Sequence, residues 1–105
     1  MAREYDKLVR DEIPAIIEEN GETPVVRTAS DDDEYAAYLV EKLREEVTEY
    51  AEDRSPEELA DILEVVRAIR EFEGLTADEL EALRAEKAAE RGGFQERIVL
   101  ERVES

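Results

Sequence analysis

The sequence contains no cysteine, no histidine and no tryptophan. Without cysteine there is no disulfide, no thiolate nucleophile and no sulfur ligand for a metal. Without histidine the commonest general base is missing, together with a common transition-metal ligand. Any catalysis therefore runs on carboxylates, Lys, Arg, Tyr and bound ions. Long apolar runs are missing too, and no stretch approaches the ~18 residues of a membrane span. Residues 1–10 mix charges with single apolar residues and lack the apolar middle of a secretory leader, so a cytoplasmic protein is expected. Positive charge is scarce. The 14 Lys and Arg face 31 Asp and Glu, for a net charge of −17. That balance argues against generic binding to nucleic-acid backbone or to an anionic membrane.

What is present is enough for a core. Apolar residues make up 42% of the 105, which suits one folded domain over 1–105. A chain this short buries a modest core, and association between copies is a common way to enlarge it. The surplus of acid has two readings. One is a solvated surface of the kind carried by proteins of salt-loving organisms. The other is a cation site formed by a few of the carboxylates.

Punctuation along the chain predicts four helices and a small strand pair. The first helix is expected over Asp11–Asn20, stopped by Gly21. Ser30 followed by three Asp predicts the start of a second helix, with Ser30 as N-cap and the acids on its positive end, running to about Asp53. Ser55-Pro56-Glu57-Glu58 is a restart, with the third helix ending at Gly74. Thr76-Ala77-Asp78-Glu79 reads as a capping box for a fourth helix that stops at Gly92-Gly93. Pro24–Thr28 and Phe94–Val103 are β-branched and read as strands, pairing antiparallel over about 24–28 and 96–103.

Two carboxylates fall where apolar residues belong. On a helical wheel with Leu39 at zero and ~100° per residue, Leu43, Val47, Tyr50 and Ala36 form one face, and Glu46 lands inside it near −20°. Glu49 lies at the edge of that face. In the third helix Glu58 falls between Ile69 and Val65, and Asp61 sits at the rim beside Phe72. The short Arg54-Ser55 turn makes the two helices antiparallel neighbours. Each pair has i, i+3 spacing, so the four carboxylates can converge. They would then repel one another, and a hard divalent cation relieves that. The competing reading is a set of helix-edge acids paired with Lys42, Arg67 or Arg70. Among the cations, Lys7 and Arg10 lie one turn apart, and Lys87 and Arg91 share a helix face. Each set suits a polyphosphate, and each also suits ordinary ion pairing with surplus Glu. Tyr5 and Phe94 suit either base stacking or the core.

The segments Lys42-Leu43-Arg44-Glu45-Glu46-Val47-Thr48-Glu49 and Glu58-Leu59-Ala60-Asp61 resemble the E-E-x-x-E and E-x-x-D signature of MazG-like nucleotide pyrophosphohydrolases. Tyr5–Pro14 (YDKLVRDEIP) and Arg91-Gly92-Gly93-Phe94 resemble the ends of its small phosphoribosyl-ATP pyrophosphohydrolase-like, house-cleaning branch. The resemblance covers nearly the whole chain. It implies an all-α, four-helix MazG-like bundle completed by dimerisation, here with the small β pair, in a homodimer or higher homo-oligomer. It implies Mg²⁺, or Mn²⁺, held by Glu46, Glu49, Glu58 and Asp61, and hydrolysis of a nucleoside triphosphate to the monophosphate and pyrophosphate. The doubled Glu of the motif suggests Glu45 as proton acceptor, although the wheel turns it away from the face. Lys7, Arg10, Lys87 and Arg91 are then the candidates for the substrate phosphates. Two alternatives stand beside this expectation: phosphoribosyl-ATP pyrophosphohydrolase of histidine synthesis, and a non-catalytic acidic helical interaction module.

Overall fold

The computed structural model describes residues 3–105. The four expected helices are present: α1 (Ile13–Glu19), α2 (Asp32–Asp53), α3 (Pro56–Phe72) and α4 (Ala77–Arg91). Their boundaries follow local chemistry. α1 begins later than the expected Asp11, because the chain first makes a turn in which the Ile13 amide donates to the Arg10 carbonyl at 3.0 Å. α2 is capped by Asp31 and not by Ser30. The Asp31 carboxylate accepts from the Glu34 amide at 2.8 Å, while Glu34 reaches back to the Ser30 amide at 2.9 Å. This is a reciprocal cap displaced by one residue. Ser55 caps α3 with Pro56 in its first turn. At α4 the Thr76 hydroxyl accepts from the Glu79 amide at 3.1 Å and the Thr76 amide donates to Glu79 at 2.9 Å, completing the expected capping box.

The strand pair is not found. Among the described residues there is no strand at all: 24–28 is irregular chain, and 96–103 opens in a turn, where the Arg97 amide donates to the Phe94 carbonyl at 3.1 Å with Arg97 at φ +61°, and continues as irregular chain. Val25 is 96% exposed, and Ile98, Val99, Leu100 and Val103 are likewise open to solvent. β-Branched composition favours a pleated surface only where a neighbour supplies cross-strand packing, and neither segment has one. Phe94 and Tyr5 are also exposed, so neither belongs to the core.

The organising unit is the α2–α3 hairpin. Its two helices pack along each other, α4 meets only α3, and the backbone of α1 approaches no other helix closely. The hairpin turns at Arg54, whose φ of +55° puts a non-glycine residue in the left-handed region, with its amide donating to the Tyr50 carbonyl at 2.7 Å. At the open end Tyr35 and Phe72 meet edge-to-face, with ring centroids 5.5 Å apart. The core is thin: Leu39, Val65 and one carboxylate, Glu46, are the buried residues among those described. The radius of gyration is 18.2 Å, against about 13 Å for a compact domain of this length. No helix among the described residues is long and apolar enough to cross a membrane.

Candidate metal centre

Glu46 and Glu49 stand one turn apart on α2, and Glu58 and Asp61 one turn apart on α3. Because the tight Arg54-Ser55 turn makes the helices antiparallel, Glu49 and Glu58 lie nearer the turn, and Glu46 and Asp61 one turn further along. The four carboxylates converge, with one oxygen from each lying within 4.8 Å of all the others. In an oxygen sphere around Mg²⁺, ligands at ~2.1 Å are at most ~4.2 Å apart, and around Ca²⁺, at ~2.3–2.6 Å, up to ~5 Å. The cluster therefore has a size that could hold a metal ion.

The surroundings support a cation more than an acidic surface patch. Glu46 is only 5% exposed. One of its oxygens takes an ion pair from Lys42 at 3.0 Å. Its Oε2, and Oε2 of Glu58, are buried without a hydrogen-bond partner among the described residues. A buried carboxylate oxygen left unpaired costs ~1–3 kcal/mol or more, and a metal ion held by the cluster could offset that cost. Hard oxygen donors without nitrogen or sulfur fit Mg²⁺, Ca²⁺ or Mn²⁺. Glu49 is pushed above the ordinary carboxylate range, first by loss of water and then by the charges of Glu46, Glu58 and Glu45. Glu58 is raised in the same way, by loss of water and then by Asp61, Asp53 and Glu46. Both shifts describe a cluster short of counter-charge.

A cleft of about 1390 Å³ adjoins the cluster. Its floor is the hairpin, through Tyr35, Leu39, Lys42, Glu46, Asp61 and Val65, and its far wall is the N-terminal arm and α1, through Lys7, Leu8, Arg10, Ile13 and Ile17. Two ion pairs join the arm to the hairpin. Lys7 Nζ lies 2.6 Å from Glu45, and Arg10 lies 2.8 Å from Asp61. Glu45 is not one of the four converging carboxylates and is held by Lys7 of the arm and by Lys42. Burial pushes its carboxyl up, yet the bonds from Lys7 and Lys42 prevail and hold it below the ordinary range.

The remaining candidates are elsewhere. Lys87 and Arg91 are exposed on α4, line no part of the cleft and join no ion pair among the described residues. Of the basic residues in the competing reading, Lys42 does pair with Glu46, whereas Arg67 bonds Glu71 and Arg70 bonds the Leu75 carbonyl. The role of Lys42 was signalled only by its i, i+4 spacing to Glu46. Nothing local in the sequence announces that Arg10 meets Asp61.

No family model matches the chain, and no solved structure matches it. An uncharacterized protein of Mycolicibacterium smegmatis is 60% identical to this chain over 43 residues, which are 41% of this chain and 43% of that protein. The chain thus spans less than half the length of that relative.

Proposed function

We propose that this protein is a Mg²⁺-dependent hydrolase that converts a nucleoside triphosphate, or a related nucleotide, to the monophosphate and pyrophosphate, in the manner of MazG-like house-cleaning enzymes. The observation that carries the reading is the pair of buried, unpartnered oxygens of Glu46 and Glu58 inside the four-carboxylate cluster. The motif resemblance and the adjoining cleft supply the substrate class. Glu46, Glu49, Glu58 and Asp61 would hold the ion. When bound, the ion supplies charge to offset that of phosphate oxygens and makes water more acidic. The apolar floor at Leu39 and Val65 excludes water from one side of the cleft, and Lys42 fixes Glu46 from below. Glu45 sits next to the cluster as proton acceptor, and its basicity rises when Lys7 moves off it.

The active form is a homo-oligomer. The single chain exposes 9512 Å², against about 6000 Å² for a compact protein of this mass. Val40 and Val47 on α2 and Leu59 and Leu63 on α3 are about half exposed or more, and they form an apolar stripe on the hairpin suited to a second copy of it.

The test is pyrophosphate release over a nucleotide panel that includes phosphoribosyl-ATP, with and without Mg²⁺, in low and in molar salt, with Glu46→Gln alongside. Mg²⁺-dependent release that is lost in Glu46→Gln supports the reading. Absence of turnover on every nucleotide under all conditions overturns it.

A further inference from the structure

We infer that the N-terminal arm is the anion-holding half of this site, and that its cations are parked on the carboxylates until a metal-chelated di- or triphosphate takes their place. The inference rests on the reading of the four carboxylates as a cation site. Arg10 occupies Asp61, one of the four ligands, at 2.8 Å, and Lys7 occupies Glu45, the neighbour of Glu46, at 2.6 Å. Both are held on the cleft wall opposite the hairpin. The arm itself is pinned: the Tyr38 hydroxyl donates to Asp6 at 2.7 Å, and Leu8, between the two cations, is half-buried. Only the Lys7 and Arg10 side chains need to move. A cation that takes Asp61 removes the partner of Arg10 and leaves a guanidinium facing the cleft beside the ion. A phosphate group shared between ion and guanidinium satisfies both, and Arg is the side chain best shaped to bind it through two parallel hydrogen bonds. Metal and anion are thus coupled with opposite signs through one residue: Arg10 competes with the metal and cooperates with the anion.

The coupling predicts an inversion that a merely structural ion pair would not produce. Mn²⁺ binding to the full chain is measured from the free-ion paramagnetic signal, and binding of inorganic pyrophosphate is measured by calorimetry at saturating Mg²⁺. Arg10→Gln should bind Mn²⁺ about two- to fivefold more tightly, the size of a partly exposed ion pair, and pyrophosphate about tenfold or more weakly, the size of a charge-assisted hydrogen bond. Lys7→Gln should leave Mn²⁺ binding unchanged, since Glu45 is not a ligand, and should weaken pyrophosphate. Far-UV circular dichroism establishes that both variants are folded. Arg10→Gln that weakens both ligands, changes neither, or tightens the metal without weakening pyrophosphate overturns the inference while leaving the cation site intact. No Mn²⁺ binding by the unaltered protein overturns the cation site and the inference with it.

Discussion

Replacing Glu46 by leucine should stabilise the metal-free protein while abolishing its response to Mg²⁺. The residue is 5% exposed, and one oxygen has no partner. An unsatisfied buried carboxylate oxygen costs ~1–3 kcal/mol, and exchanging a buried ion pair for a well-packed apolar side chain is neutral or stabilising by ~1–4 kcal/mol. Lys42 is not orphaned by the change, because Glu45 lies 3.3 Å from it. A net gain of ~2 kcal/mol is therefore expected. At ~4–8 °C per kcal/mol for a domain near this size, Tm in EDTA should rise by ~8–16 °C. Mg²⁺ at one hundred times its Kd should stabilise the unaltered protein by ~2.7 kcal/mol and the leucine variant not at all. The two melting curves, well separated in EDTA, should nearly coincide in saturating Mg²⁺. Differential scanning calorimetry over a Mg²⁺ series reads both effects at once. A Glu46→Leu protein that melts lower than the original in EDTA, or that still shifts with Mg²⁺, would refute the assignment of Glu46 to a cation site.

Other outcomes follow from the same structure. Glu49 and Glu58 are raised, so the folded chain holds more protons than the unfolded one just above the ordinary carboxylate range, and stability falls as pH rises through that interval. Glu34 is lowered to about 2 by Arg27 and the Ser30 amide, so its contribution is lost as pH falls from the ordinary range toward that value. Metal-free Tm should therefore peak in the mildly acidic range, and Glu49→Gln or added Mg²⁺ should flatten the decline toward neutrality; a thermal-melt series at pH 3–8 checks both. Arg54→Gly relieves a non-glycine residue at φ +55° and should raise stability by ~0.5–1 kcal/mol, read by urea unfolding. Leu63→Glu should lower the mass measured by light scattering if the hairpin stripe joins two copies, and unchanged mass would exclude that stripe as the contact.

The features that could be read from the sequence were those fixed by neighbours within one turn of chain. Thr76 and Glu79 cap each other, Ser55 precedes Pro56, and the same helical spacing that builds an apolar face placed Glu46 inside it. Features that depend on what arrives from a distance were not legible. Pro24–Thr28 and the run at Ile98–Leu100 have strand composition, but no pattern within either says that no partner comes alongside. Ser30 lost the capping role to Asp31 because both can accept from the helix amides, and geometry at the level of one residue decides between them. The pairing of Arg10 with Asp61 brings together opposite ends of the first two-thirds of the chain, and it depends on where the arm happens to lie.

The tight turn at Arg54 has a kinetic consequence. Glu49 faces Glu58, and Glu46 faces Asp61, across a helical hairpin whose partners are separated by a short stretch of sequence. Local contacts of this kind form early, since little loop entropy stands in their way. The carboxylates would be gathered before the arm carrying Lys7 and Arg10 has docked, at a stage when their mutual repulsion has no protein counter-charge beyond Lys42. A divalent cation present during folding would then act on the rate of hairpin formation as well as on the finished structure, and its absence would slow the first step of folding rather than the last.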